Sequence, residues 1–324
     1  MSVTPLPSVL SLDLNDDPAA TLEAAAWALA ALIATLDDTA TKPPADVLAA
    51  DPQRTAVLEA AGLVQRDGDK LVLHPSYQYP DGPTNRSAAQ ARLSSLRQAV
   101  AAAAGDPGQT GGWADQDDEV LRNQGRASAG TGRAIAGKVV PALPGLTDRL
   151  DAQGSRILDV GTGIAALALA LAEAFPRAEV VGIDVMERVL GLAREDLAEA
   201  GTEASGRVTL RHADVVDVAE QAAYDLVWLP APFLAEAALT QALPRLAEAL
   251  KPGAWIVVGT NPATIAPLRR AVADWHAVRN GGNTYDADRM TKTLTAYGLR
   301  NVRQFPTVPG GPVLVAAQRI GGDS

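Results

Sequence analysis

The chain has no cysteine among its 324 residues. Disulfides, thiolate nucleophiles and cysteine-based zinc sites are thereby excluded, and a reducing cytoplasm is the expected setting. Histidine is scarce too: His74, His212 and His276 are the whole supply of imidazole, and no metal site is expected. No segment offers 18 unbroken apolar residues, and residues 1–16 lack the basic flank and long apolar run of a signal peptide. Neither export nor a membrane span is expected on these signals. Positive charge is in deficit, with 28 Lys and Arg against 38 Asp and Glu and a formal charge of -10. Broad binding to nucleic acid draws on Lys and Arg to release counterions, so a small-molecule or peptide ligand is favoured over DNA or RNA. What remains is the composition of a soluble globular protein, 47% apolar and 20% charged, long enough for two domains.

The richest local pattern is Arg156-Ile-Leu-Asp-Val-Gly-Thr-Gly-Ile-Ala165, followed by Glu179-Val-Val-Gly-Ile-Asp184. Residues 156–160 read as a buried strand, and Gly161 and Gly163 permit a sharp turn with close backbone approach to a ligand. An Ala/Leu helix over 165–175 follows, its N-terminal amides directed over that turn. The second apolar strand ends in Asp184, where a carboxylate can accept hydrogen bonds from both hydroxyls of a ribose. An adenosine-containing cofactor is expected. Gly161, Gly163 and Ala166 also satisfy a nicotinamide fingerprint, which keeps an oxidoreductase as a rival reading. Asp159, two residues before the first glycine, would repel a pyrophosphate and suits a cationic ligand.

On these residues the chain resembles the class I S-adenosylmethionine-dependent methyltransferases, whose first motif is D/E-x-G-x-G and whose second is the acidic end of the next strand. The resemblance continues in order. Residues 207–214 look like the third strand, with Asp214 near the adenine amino group; 224–230 look like the fourth, whose end faces the methyl group. Residues 249–258 match the turn and fifth strand, and 299–305 with 313–318 would be the closing hairpin. The resemblance implies an α/β fold with a Rossmann-like seven-stranded sheet and S-adenosylmethionine as cofactor. It implies cofactor contacts at Gln124, Ser128, Asp159, Gly161, Thr162, Gly163, Asp184, Val185, Met186, Asp214, Val215, Leu229 and Pro230.

Upstream, residues 1–18 are expected to be an arm, and 21–36 an Ala-rich apolar helix offering Trp27, Leu29, Leu32, Ile33 and Leu36 for packing. Helices over 45–50 and 52–61 and two short strands over 63–73, around an Asp67-Gly68 turn, complete a winged-helix pattern. It resembles the N-terminal module of small-molecule O-methyltransferases, which in those relatives dimerises and walls the substrate pocket. A homodimer is therefore expected, with a helical module over 19–112, which includes a further helix over 87–104 and a flexible connection over 105–112, and a methyltransferase domain over 113–324. A DNA-binding winged helix is the competing reading, but the candidate recognition helix carries only Arg54 as a cation. A regulator whose methyltransferase fold merely senses a ligand belongs to the same alternative.

Methyl transfer needs an oriented nucleophile, and holding both reactants in attack geometry contributes on the order of 7 to 11 kcal/mol. A hydroxyl acceptor often also uses a general base. His276, at the end of the helix after the fifth strand, is the candidate; His74 and His212 read as structural. Relatives of the plant O-methyltransferase type carry a histidine shortly after the fourth strand, where this chain has Leu229-Pro-Ala-Pro-Phe233. The same five residues depart from the Asn/Asp-Pro-Pro-Tyr/Phe motif of nucleobase and glutamine N-methyltransferases. The expected acceptor wall is Trp113, Trp228 and Phe233, with Asn261, Arg279, Asn283 and Tyr285 as polar contacts on the C-terminal side of the sheet. Oxygen is the preferred target atom on a small secondary-metabolite-like molecule, with transfer to nitrogen or carbon as alternatives.

Overall fold

The computed structural model describes residues 17–68, 70–78, 83–105, 112–262, 266–307 and 312–321. Almost all of the expected N-terminal arm and of the expected connection before residue 112 lies outside them. The chain divides into two compact units, Met1–Asp106 and Pro107–Ser324.

In the first unit, Asp17 accepts hydrogen bonds from the amides of Ala19 and Ala20, and Pro18 occupies the first turn of α1 (Pro18–Asp38). That cap starts the helix three residues before the point its apolar spacing suggests. Helix α2 (Pro44–Ala50) and helix α3 (Pro52–Ala60) also open on proline, and Asp51 caps α3 through the amide of Arg54 at 3.0 Å. Strands β1 (Val64–Asp67) and β2 (Lys70–Leu73) pair antiparallel. Ala28, Leu32, Leu48, Leu58, Leu63, Val64 and Leu73 form the core, with Leu96 of α4 (Pro83–Ala104) packed against it. Among the described residues α1 is the one helix long and apolar enough, by length and composition, to cross a membrane, although Glu23 interrupts its apolar run. It buries Ala28, Leu32 and Thr35 and leaves Leu22 and Trp27 exposed.

The second unit opens on a short turn at Trp113–Asp115 and helix α5 (Asp118–Ala134), followed by the short α6 (Leu146–Leu150). The sheet begins with β3 (Arg156–Val160), α7 (Ala166–Ala174), β4 (Glu179–Asp184), α8 (Glu187–Ala200) and β5 (Val208–His212). It continues through β6 (Tyr224–Pro230), α9 (Glu236–Ala249), β7 (Leu250–Pro262), α10 (Pro267–Arg279) and α11 (Ala287–Ala296). The hairpin β8 (Arg300–Pro306) and β9 (Pro312–Gln318) closes it. Strand order is β5-β4-β3-β6-β7-β9-β8, with β9 antiparallel to both neighbours and the other pairs parallel.

Side-chain alternation along β3 serves two cores: Leu158 and Val160 pack on one face with Val227, Ile256 and Leu243, and Ile157 on the other with Leu226, Trp255 and Leu171. The central strands β3, β4 and β6 run as near-continuous buried segments because helices cover both faces. At the N-terminal end of β6 the buried Asp225 accepts from the amide of Arg156 at 3.0 Å and from Lys251 Nζ at 2.6 Å. That pair of bonds ties β3, β6 and β7 at the end opposite the glycine turn.

Candidate cofactor and acceptor site

Neighbouring β3 and β6 lead in opposite directions across the sheet, β3 to β4 and β6 to β7. A crevice opens at the C-terminal ends of strands where the order reverses in this way. A cavity of about 560 Å³ lies there, within the range of small-molecule and cofactor sites.

The glycine turn builds its inner wall. Gly161 and Gly163 hold φ of +62° and +57°, values in which an L side chain would be strained. Ala165 accepts the same left-handed conformation at +63° just before α7. The turn is strapped to β4: Thr162 donates its amide to Ile183 O at 3.0 Å, and Gly163 donates its amide to Asp184 Oδ2 at 3.0 Å. Thr162 lies so close to β4 that a Cβ on Gly182 would be 2.6 Å from its Oγ1, which makes the glycine in Val-Val-Gly-Ile-Asp a packing requirement. The Thr162 hydroxyl then donates to Asp159 Oδ2 at 2.7 Å.

Asp159 is 1% exposed. Burial raises its pKa, the Thr162 hydroxyl opposes the rise, and the like charge of Asp184 adds to it, leaving the group at about 7. Burial also raises Asp184, against the amides of Met186, Gly163 and Val185. Asp214 ends the next strand segment and accepts from the amide of Val216 at 3.0 Å. Asp159, Asp184 and Asp214 are the charged side chains among the residues lining the cavity, and no Lys or Arg joins them. Such a surface favours a cation and opposes a pyrophosphate.

Helix α5 forms the side wall through Leu121, Gln124, Gly125, Ala127, Ser128 and Thr131. Gly125 brings it close, since a Cβ there would fall 2.4 Å from Ile164 Cγ1. The outer wall is Trp228, Pro230, Phe233, Leu234, Ala235 and Ala238, and Gly259 on the next strand leaves room for the Trp228 ring. Trp113 meets Phe233 edge to face with ring centroids 5.3 Å apart, so the segment before α5 and the end of β6 approach one another beside the cavity.

Residues 157–253 match the family described as a methyltransferase domain. Over 93 residues the chain is 37% identical to the ribosomal protein uL3 glutamine methyltransferase of Bordetella pertussis, a match covering 29% of this chain and 30% of that protein. The chain covers about half or less of the length of the curated methyltransferases it matches. Solved structures are similar over nearly the whole chain. An O-methyltransferase family protein from Burkholderia thailandensis shares the fold at a TM-score of 0.63 and 18% identity, over 94% of this chain and 98% of that one. Mitomycin 7-O-methyltransferase does so at 0.64 and 17%, over 94% and 97%. Over residues 157–253 the chain is therefore similar in sequence to methyltransferase domains, and over nearly its whole length it shares the fold of these O-methyltransferases.

The residues around the cavity fit S-adenosylmethionine, the cofactor that the resemblance implies. A carboxylate offers about four lone-pair sites, and Asp184 accepts from the amides of Gly163 and Met186 at 3.0 Å, with the Val185 amide also directed at it. The remaining lone-pair capacity faces the cavity, where the hydroxyls of a ribose can donate to it. The three carboxylates complement a sulfonium and an ammonium, and the cofactor brings no phosphate into their field.

Of the residues expected at the cofactor, twelve line the cavity: Gln124, Ser128, Asp159, Gly161, Thr162, Gly163, Asp184, Val185, Met186, Asp214, Val215 and Pro230. Leu229 does not. Strand alternation turns Trp228 and Pro230 to the cavity and sends Leu229 into the core with Val258 and Leu239. Among the expected acceptor contacts, Trp113, Trp228 and Phe233 line the cavity and four polar residues do not. Asn261, Asn283 and Tyr285 are buried behind the wall in hydrogen bonds of their own, and Arg279 stacks over the Trp275 ring at 5.7 Å. His276 is exposed on α10, its Nε2 3.0 Å from Asn280 Nδ2, and does not line the cavity. A loop position on the correct side of the sheet is therefore insufficient to place a side chain in the site. The α5 residues Leu121, Gly125 and Thr131 were missed, although their spacing with Gln124 and Ser128 is that of one helical face.

Proposed function

We propose that this chain transfers a methyl group from S-adenosylmethionine to an oxygen of a small, largely apolar acceptor. The observation that carries the reading is the outer wall of the cavity: Trp113, Trp228, Pro230, Phe233, Leu234 and Ala238 are apolar and continuous with the strand ends that hold the cofactor. Aromatic and proline side chains make a rigid wall, which suits a flat or compact molecule more than an extended peptide. Fold-level similarity to small-molecule O-methyltransferases over more than nine-tenths of the chain supports it.

The bound cofactor supplies an electrophilic methyl group. The chain orients the acceptor and keeps water from it, and the outer wall fixes its angle of approach. Asp159, Asp184 and Asp214 favour the cationic cofactor before transfer and favour it less once the positive sulfur has become neutral. With His276 exposed on α10, catalysis rests mainly on proximity and orientation.

Similarity to glutamine methyltransferases favours a second reading, transfer to an amide nitrogen. Against it, the position that would carry the Asn or Asp of their motif is Leu229, fully buried in the core. Incubation with trideuteromethyl S-adenosylmethionine, a panel of phenols, enols and hydroxyquinones, and glutamine-containing peptides separates the two by mass spectrometry. Label on an oxygen of a small molecule is expected; label confined to a glutamine side chain would replace this reading with the second.

A further inference from the structure

The turn Ala231–Phe233 that follows β6 carries the exposed end of the acceptor wall. Within itself it has the bond from the amide of Leu234 to Ala231 O, at 3.1 Å. The rest of its support comes from the loop after α10. Asn283 Nδ2 donates to Ala231 O at 2.7 Å and to Leu234 O at 2.8 Å, while Asn283 Oδ1 accepts from the amide of Tyr285 at 2.8 Å. Asn261, at the end of β7, donates Nδ2 to Asn283 O at 2.8 Å and to Tyr285 O at 3.2 Å. The two asparagines are 3% and 2% exposed, so this chain of bonds runs through the interior. At Gly282 the loop and turn touch so closely that a Cβ would be 1.8 Å from Pro232 O.

We propose that Asn283, held by Asn261, is a positioning residue for the acceptor: it clamps the turn from Ala231 to Leu234 and thereby sets where Phe233 stands. The inference rests on the proposed acceptor site. Phe233 is 56% exposed, and among the described residues its ring contact is the edge-to-face one with Trp113, so its place depends on the backbone beneath it. That backbone is fixed by two acceptor carbonyls sharing one side-chain amide. Loss of the amide leaves the part-buried Leu234 carbonyl without this partner and Ala231 O with the bond from the Leu234 amide alone, and an unpaired carbonyl costs more than the bond contributes net. The glycine turn and Asp184 are bonded to each other and to β4, not to this loop, so the cofactor half of the site is independent of the clamp.

The test uses the full-length chain saturated with S-adenosylhomocysteine, comparing wild type with Asn283→Asp, which keeps the size and loses the donor, and with the milder Asn283→Ser. Amide hydrogen exchange over residues 229–238 should accelerate about tenfold or more in Asn283→Asp and by less in Asn283→Ser, while exchange over 156–166 and affinity for S-adenosylhomocysteine stay within about twofold. On an acceptor that the wild type turns over, kcat should fall by about tenfold with KM for S-adenosylmethionine unchanged. Equal acceleration in both segments, no acceleration in 229–238, or unchanged kcat despite a loosened turn would overturn the proposal. If the wild type methylates no small molecule, the proposed acceptor reading fails by itself, and the exchange comparison still decides whether the clamp exists.

Discussion

Asp159 and Asp184 decide how the site responds to pH. A carboxylate raised to about 7 in the folded chain binds a proton there that the unfolded chain has already released. Its contribution to stability is therefore fully present below the ordinary carboxylate value and is lost as pH rises through about 7. Asp159→Asn should accordingly raise the melting temperature of the ligand-free protein at about pH 8 and change it little at about pH 5. A cationic cofactor favours the ionised form, so affinity for S-adenosylmethionine should increase between about pH 6 and 8 with release of protons, and Asp159→Asn should flatten that profile. Calorimetry in buffers of different ionisation enthalpy measures both. Asp184 works differently, through the lone pairs left beside the amides of Gly163 and Met186. Asp184→Ala should weaken cofactor binding about ten- to hundredfold in a chain that still folds, by loss of hydrogen bonds to a charged group. Unchanged affinity in a folded Asp184→Ala protein would place the ribose elsewhere.

Helix α5 supplies the side wall at the cost of two glycines that pack it closely on α7 and the glycine turn. Gly125→Ala puts a methyl 2.4 Å from Ile164 Cγ1, and Gly132→Ala one 3.0 Å from Ala170 Cβ. Overpacking of this kind costs about 1 to 3 kcal/mol, so Gly125→Ala should lower the melting temperature by several degrees, about 2 to 4 °C for each kcal/mol. It should also displace Leu121 and Gln124 and weaken cofactor binding, whereas Gly137→Ala, with open space around it, should do neither. The central strands were legible because each is a mainly apolar run stopped by glycine, proline or aspartate: β3, β4 and β6 begin and end at the expected residues. The side chains on the last residues of those strands were legible for the same reason. The loop after β7 was not. Asn261, Asn283 and Tyr285 stand on the expected side of the sheet, yet their amides and carbonyls are consumed in holding the turn after β6. Sequence spacing places a backbone; it carries no record of which buried carbonyl a distant asparagine must satisfy.

The winged-helix-like unit and the sheet unit together reproduce the two-part architecture of small-molecule O-methyltransferases. The first unit leaves Leu22 and Trp27 of α1 exposed, at 56% and 68%, on a helix whose other face fills the unit's core. Apolar surface of that kind is commonly covered by a partner, and a homodimer formed through the first unit is the expected assembly. Sedimentation of the full-length chain at micromolar concentration should give a dimer, and Trp27→Glu should shift it toward monomer; a monomeric wild type would remove this part of the account. The net charge of -10 sits with an acidic cofactor pocket and a single cation, Arg54, on α3, so no affinity for duplex DNA is expected of either unit. If the glycine turn and the carboxylates of Asp159, Asp184 and Asp214 hold S-adenosylmethionine, titration calorimetry of the purified chain with S-adenosylhomocysteine and, separately, with NADH will show it directly. Saturable one-site binding of S-adenosylhomocysteine and none of NADH is expected. Tighter binding of NADH, or no binding of S-adenosylhomocysteine by the folded chain, would contradict it.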